Sequence, residues 1–296
     1  MLPSSIKNLK RFFISPPLAT DIMFGRNHVE AVLCEQNQDQ WCIKERFEKN
    51  MSVSLFSGNP TNDVTSALTI ALKEITNKFS KQYLPIHISL PDAAARLMTF
   101  ELDQCPKSSA EQLELVRWRF SQEFPQLLHT EKIVCASQNL SRAKNGKHLL
   151  LGMMMEKMWF DCVTQALRQA DIVPWSLTTH ACRQFDQFHD HLTANKQNGA
   201  LVIFSPDYWS LLIWNSEGQL RLAFSRWHPA LGIDYAEVIA EIMRLVASYV
   251  YGSKERIIEN LFVITRHVEN QRSEFLNILN SRLRKPCVLL TNVEAT

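Results

Sequence analysis

The amino-acid sequence predicts an α/β fold made of two similarly ordered lobes, with a smaller module inserted into the first. Each half of the chain opens with three short apolar segments separated by turn residues, a pattern typical of an antiparallel meander. In each half the meander leads to a segment with helical periodicity and then to another short apolar strand. Between the halves, residues 97–170 have the pattern strand, helix, strand, strand, helix. The repeated order of elements indicates a duplicated architecture.

In the first half, apolar segments predict consecutive antiparallel strands over Asp21–Cys34, Trp41–Phe47 and Met51–Phe56. A helix follows, on which apolar residues recur at intervals of three and four positions. The strand Pro85–Leu90 then ends at Pro91, which has no backbone N–H to donate. Together these segments predict the sheet and the first helix of the first lobe.

The module and the second half show the same two periodicities, alternation for strands and a 3.6-residue period for helices. The predicted elements of the module are the strand Leu97–Leu102, a helix from Ser109 that ends before Pro125, the strands Glu131–Ala136 and His148–Met155, and the helix Lys157–Gln169. The predicted elements of the second half are the strands Ala200–Ser205, Tyr208–Asn215 and Gln219–Trp227, the helix Ile233–Tyr251, the strand Leu261–Thr265, the helix Ser273–Leu283 and the strand Val288–Leu290.

The element order predicts four parts. They are a basic N-terminal tail over 1–17, a first lobe formed by 18–96 with 171–192, the inserted module over 97–170, and a truncated second lobe over 193–296. The tail combines basic and apolar residues over Ile6–Phe13 and ends at Pro16-Pro17. Such a segment either rests on an anionic membrane surface or is a frayed leader, and the sequence leaves both open.

Composition excludes several classes of function. The 296 residues carry a net charge of only +2, so no global field would recruit nucleic acid. The seven cysteines are odd in number and widely spaced, with no C-x-x-C, which favours a reducing compartment over a disulfide framework. No window reaches the roughly 18–20 apolar residues of a membrane span. The cluster His189-Asp190-His191 fits no zinc spacing, so no metal site is predicted.

Several short strings resemble the PilM family of type IV pilus assembly proteins, which has an actin-like fold related to the cell-division protein FtsA. They occur in the family's order over about residues 18–267, and the resemblance extends to MshI-like and competence-related paralogues. The strings are the loop within Asp21–Val32, Ser89-Leu90-Pro91-Asp92, Val116-Arg117-Trp118 with Phe124-Pro125, the return from Leu149 through Ala170 to Pro174, and the hairpin Ala200–Arg226.

The resemblance implies a cytoplasmic protein at the inner face of the cytoplasmic membrane that binds the N-terminal cytoplasmic tail of a PilN-like inner-membrane protein. It further implies a groove between the first lobe and the inserted module, in which that tail docks in an extended form, by adding to a strand edge or by filling side-chain pockets. By resemblance, the residues expected near this groove are Leu97, Thr99, Glu101, Val116, Trp118 and Phe120.

Family members commonly hold ATP in a cleft, and here the sequence departs from their pattern. Glycine-rich loops let backbone N–H groups approach phosphates. In the first loop Gly25 is followed by Arg26, Asn27 and His28 in place of small hydroxyl residues. In the second loop Ser205-Pro206 replaces the glycine-rich turn, and the third position has Arg266-His267 with no glycine. We therefore predict no ATP, Mg²⁺ or other cofactor and no enzymatic activity.

The main alternative is an ATP-binding actin-like assembly protein or a kinase-like enzyme of the same superfamily. Each charge-assisted hydrogen bond contributes roughly 1.5–3 kcal/mol, and micromolar binding needs about 8 kcal/mol, so losing three or four contacts removes most nucleotide affinity. The sequence leaves open whether the chain serves a pilus, a secretion system or a competence machine.

Overall fold

The computed structural model describes residues 18–37, 40–79, 85–124, 132–142, 146–229, 232–253, 257–265, 269–282 and 287–290. These residues form two compact units. Unit 1 contains the described residues up to Ser89 together with Val163–Thr178. Unit 2 contains Leu90–Cys162 together with the described residues from Thr179 onwards.

Most of the predicted strands and helices are present in the predicted order. In chain order the elements are β1 (Leu18–Phe24), β2 (His28–Asn37), β3 (Gln40–Asn50), α1 (Asn62–Phe79), β4 (Ile86–Leu90), β5 (Ala95–Leu102), α2 (Ser109–Glu123), β6 (Ile133–Arg142), β7 (His148–Glu156), α3 (Lys157–Gln169), β8 (Ser176–Thr179), α4 (His180–Thr193), β9 (Gly199–Phe204), β10 (Tyr208–Trp214), β11 (Leu220–Trp227), α5 (Tyr235–Ser253), β12 (Asn260–Thr265), α6 (Glu269–Arg282) and β13 (Val288–Leu289).

Unit 1 is built on a five-stranded sheet with the order β3-β2-β1-β4-β8. The first three strands are an antiparallel meander, and β4 lies parallel to β1. Helix α1 buries Val64, Leu68, Leu72 and Ile75, whose spacing of four, four and three positions places them on one helical face. The apolar residues that give this segment its helical periodicity are therefore the residues that α1 buries.

Unit 2 contains a second five-stranded sheet with the equivalent order, β11-β10-β9-β12-β13. Again a meander of three antiparallel strands is followed by a strand parallel to the first, here β12 beside β9. All residues of β9 and β10 are buried, in keeping with their continuous apolar sequence. The matching strand orders confirm the duplicated architecture.

The inserted module forms a three-stranded antiparallel sheet of order β5-β7-β6, and helix α2 packs on one face of it. Ser108 caps this helix, because its hydroxyl accepts the backbone N–H of Glu111 at 3.2 Å. The close fit between helix and sheet depends on Gly152 of β7. A Cβ at that position would lie 2.7 Å from the ring of Phe100 and 2.9 Å from Val116.

The structure corrects the predicted strands of the first meander. The segment Asp21–Cys34 is two strands, separated by a loop at Gly25–Asn27, and Met51–Phe56 is not a strand. The segment consists of turns, in which Phe56 has a positive φ of 59° and the side chain of Leu55 is buried in the core. Its apolar residues resemble those of a strand, and the third strand of the meander is β3, which the sequence predicted over Trp41–Phe47.

The compact units also divide the chain differently from the predicted lobes. Residues 97–162 of the inserted module belong to unit 2, and its last residues, 163–170, belong to unit 1. Helix α4, which the sequence assigned to the first lobe, also belongs to unit 2. The four-part boundaries remain a prediction. Within the described residues, no helix is long and apolar enough to cross a membrane.

Candidate functional site

The loop between β1 and β2 is a closed turn. The N–H of Gly25 donates to the carbonyl of His28 at 2.9 Å, and the carbonyls of Arg26 and Asn27 accept the N–H groups of Leu55 and Met51 at 2.6 and 2.8 Å. The His28 imidazole lies against Gly25, since a Cβ there would be 2.1 Å from its Cε1 atom. A phosphate loop uses glycine to leave space over the backbone. Here the chain's own imidazole occupies that space.

The loop between β9 and β10 has few free backbone donors. The N–H of Ser205 donates to the carbonyl of Tyr208 at 2.9 Å, and Pro206 has no N–H. His228 Nε2 donates to the carbonyl of Ser205 at 2.9 Å, and its backbone N–H donates to Asp207. Tyr208 and Trp209 are buried, so their rings belong to the core and not to the loop surface.

The third predicted position lies only partly within the structure. Thr265 is the last residue of β12 and is half-buried. Arg266 and His267 lie outside the described residues. Absence of nucleotide binding therefore stays a prediction, which the geometry of the two loops described above supports.

A buried carboxylate lies in the turn that follows β4. Asp92 is fully buried and accepts the N–H of Ala181 at 2.7 Å and the hydroxyl of Ser210 at 2.8 Å. Its backbone carbonyl accepts the hydroxyl of Ser225 at 2.7 Å. Ala181 is in the first turn of α4, where unsatisfied N–H groups and the helix dipole favour an anion. Asp92 thus joins three elements of unit 2: β10, β11 and α4.

Three of the residues predicted to bind a peptide lie on β5. The Thr99 hydroxyl donates to the carbonyl of Arg221 in β11, and Glu101 Oε1 forms an ion pair with Arg221 Nη1 at 2.7 Å. Leu97 packs against the apolar cluster beneath β9–β11. Since these residues alternate along the strand, they share one face of the module sheet, and that face meets β11.

The other three lie on α2, which covers the opposite face. Val116 and Phe120 are completely buried against Phe100, Leu150 and Met154. Trp118 is 52% exposed, with the Arg119 guanidinium 5.0 Å from its ring centroid. The structure therefore does not bring the six residues together on one surface of unit 2, and Trp118 is the member of the α2 group that offers an apolar surface to a partner.

The same module carries a half-buried thiol, Cys135 of β6. Burial raises the pKa of Cys135 above its ordinary value, the Arg117 guanidinium partly offsets this, and the Glu114 carboxylate raises it further. Because only the thiolate reacts, we expect alkylation of Cys135 by iodoacetamide at pH 8 to be slower than alkylation of free cysteine, whose ordinary pKa is about 8.5. Mass spectrometry of the Cys135 peptide measures the rate.

In an Arg117→Gln variant the offsetting positive charge is gone, so alkylation of Cys135 should be slower still at pH 9. Fast alkylation of the unmodified chain at pH 7 would contradict the expected pKa shift.

Comparison with known proteins shows similarity in structure and not in sequence. No protein-family model and no curated protein matches the sequence significantly. A chain of a PilM–PilN type IV pilus biogenesis complex superposes with a TM-score of 0.70 and 14% identity, over 93% of this chain and 88% of that one. A Bacteroides thetaiotaomicron protein with an actin-like ATPase fold and unknown function superposes with a TM-score of 0.56 and 15% identity, over 99% and 95%. The chain therefore has the actin-like fold that its sequence predicted, in the form also found in the PilM–PilN complex.

Proposed function

We propose that the chain is a non-catalytic adaptor in the assembly of a type IV pilus or a related secretion or competence pseudopilus. In this proposal it lies at the inner face of the cytoplasmic membrane and binds the N-terminal cytoplasmic tail of a PilN-like inner-membrane protein. The observation that supports it best is the structural likeness to the PilM–PilN complex over nearly the whole chain. The closed loops at Gly25 and Ser205 support a role without nucleotide.

Peptide binding provides the direct test. A synthetic peptide with the N-terminal tail of the PilN-like protein of the same organism should bind the full chain with a dissociation constant of tens of micromolar or lower. Isothermal titration calorimetry measures it, and a peptide of the same composition in scrambled order is the control. Absence of binding at tens of micromolar would overturn this choice of partner.

Trp118 is the residue of the predicted groove whose loss should weaken peptide binding most. Exposed tryptophans are frequent anchors of interfaces, and truncation of an anchor typically costs about 2 kcal/mol. We expect Trp118→Ala to raise the dissociation constant of the peptide by about 30-fold. The matched control is Trp175→Ala in unit 1, which removes another exposed indole and should leave the affinity unchanged. Equal effects of the two variants would contradict the assignment.

The alternative function, an ATP-binding actin-like assembly protein or a kinase-like enzyme, is supported by the likeness to a protein with an actin-like ATPase fold. A ligand present at 100 times its dissociation constant stabilises a protein by about 2.7 kcal/mol. For a chain of this size, such binding would raise Tm by about 5 °C or more. We expect 1 mM Mg-ATP to leave Tm unchanged in a thermal unfolding assay, and a rise of that size would favour the alternative.

A further inference from the structure

Gly25 is a glycine that the backbone conformation does not require. Its φ lies outside the positive range that L-residues avoid, so an alanine could adopt the same conformation. What excludes a side chain at this position is the ring of His28. Outside the adjacent residues, the atoms nearest to a Cβ on Gly25 would be Cε1, Nδ1 and Nε2 of that ring, at 2.1, 2.5 and 2.6 Å. The ring is therefore the physical reason for a glycine here.

The backbone of the loop is held by bonds that do not involve the ring. The N–H of Gly25 donates to the carbonyl of His28, and two N–H groups of the turn segment 51–55 donate to the carbonyls of Arg26 and Asn27. Because the imidazole takes no part in these four-residue contacts, the loop should keep its course when the ring is removed. Removal of the ring would then open a space over Gly25.

This space lies at the carboxyl end of β1, beside the parallel strand β4, and ligands of α/β sheets commonly bind at the carboxyl ends of parallel strands. Ser89 of β4 is opposite Met23 of β1. Since residues two apart on a strand share a face, Ser89, Met23 and Gly25 lie on one face of the sheet. The Ser89 hydroxyl is buried and has no hydrogen-bond partner within the part of the chain that the structure describes. The face that the ring covers thus carries an unused donor.

We propose that the imidazole of His28 is an internal plug that excludes an oxyanion from the loop at Gly25. With the ring in place the loop has no room for a phosphate group over its glycine. The exclusion is due to one side chain and not to the course of the backbone. This goes beyond the proposed function, because it assigns to His28 a role that requires no partner protein.

Thermal unfolding of four full-length chains tests the plug: the unmodified chain, Gly25→Ala, His28→Ala and G25A/H28A. In the unmodified chain the added Cβ collides with the ring, so Gly25→Ala should lower Tm by about 5 °C. In the His28→Ala background the collision is absent and alanine restricts the unfolded chain, so the same substitution should raise Tm by about 1–3 °C. Simple loss of packing at either position would not reverse the sign.

Inorganic tripolyphosphate is the probe for the oxyanion. We expect 10 mM tripolyphosphate to raise the Tm of His28→Ala by about 3 °C and to leave the Tm of the unmodified chain unchanged. The matched control is His148→Ala, which removes a half-buried imidazole from unit 2. It should show no response to tripolyphosphate, and Gly25→Ala should lower Tm in its background as in the unmodified chain.

A second variant, His28→Ser, also removes the ring and repeats both measurements, and circular dichroism checks that each variant is folded. The proposal fails if Gly25→Ala lowers Tm equally with and without the ring. It also fails if tripolyphosphate leaves the ring-free variants unchanged, or stabilises the unmodified chain or His148→Ala as much as His28→Ala. Because no peptide is present, the result is independent of the test of the PilN-like partner.

Discussion

Replacement of Asp92 with alanine is expected to lower the free energy of unfolding by about 3–6 kcal/mol, since hydrogen bonds to a charged group contribute roughly 1.5–3 kcal/mol each. The carboxylate accepts two buried donors, the N–H of Ala181 and the hydroxyl of Ser210, and is itself fully buried. The substitution leaves both donors without their acceptor and opens a cavity. Urea unfolding followed by tryptophan fluorescence measures the loss.

Two milder variants separate the charge from the shape at this position. Asp92→Asn retains the side-chain volume and one acceptor oxygen, so its loss should be intermediate. Ser210→Ala removes one of the two donors and should cost about 1.5–3 kcal/mol. If Asp92→Ala costs no more than Ser210→Ala, the carboxylate does not hold the elements together. Hydrogen exchange gives an independent readout, because the amide of Ala181 should lose protection in Asp92→Ala and retain it in Ser210→Ala.

The second large effect is expected at Phe275 of α6. Its ring stacks on Phe204 of β9 with centroids 4.0 Å apart and planes at 7°, and the ring of Tyr235 contacts both. Phe275 and Phe204 are completely buried. Truncation of a buried phenylalanine to alanine costs about 3–5 kcal/mol, from lost apolar burial and from the cavity that remains. We expect Phe275→Ala to lower the free energy of unfolding by that amount.

The same unfolding experiment on Phe275→Leu separates ring stacking from simple burial. Leucine fills most of the space, so its loss should be clearly smaller than that of alanine. In a double-mutant cycle, Phe204→Leu and Phe275→Leu should show a coupling of about 0.5–1.5 kcal/mol, the range measured for aromatic pairs. The neighbouring Glu274→Ala is the surface control and should change stability by less than 0.5 kcal/mol. A similar loss for Glu274→Ala and Phe275→Ala would contradict the packing described.

Most of the elements could be predicted because their signals are local. The meander β9–β11 follows from three apolar segments with a glycine turn between the last two, and Gly218 adopts the positive φ of 76° that this turn requires. Helix α1 follows from its apolar spacing. The strand β3 was itself predicted over Trp41–Phe47, and the prediction failed just after it, where the apolar segment Met51–Phe56 consists of turns. Lys44, Glu45 and Arg46 of β3 suit an edge strand, because charges at an edge discourage pairing with other chains.

The predicted binding residues remain a prediction, and the structure shows where they lie. Leu97 and Thr99 on one side, and Val116 and Phe120 on the other, were expected beside a common groove. They lie on opposite faces of the module sheet, because α2 packs on the face that β5 presents with Phe100 and Leu102. A sequence gives the alternation of a strand but not which of its two faces a later helix will cover.

The sequence by itself determined most of the strands and helices and the residues at the expected phosphate loops, because periodicity and residue type are properties of short segments. The actin-like fold was expected from the resemblance to the PilM family. The tertiary structure alone decided that His28 covers Gly25 and that Trp118 remains exposed while Val116 and Phe120 are buried. It also brings Asp92 to Ala181 and Ser210, which are 89 and 118 residues away. Such contacts depend on how distant segments pack against each other, and the residue pattern of a short segment does not specify that packing.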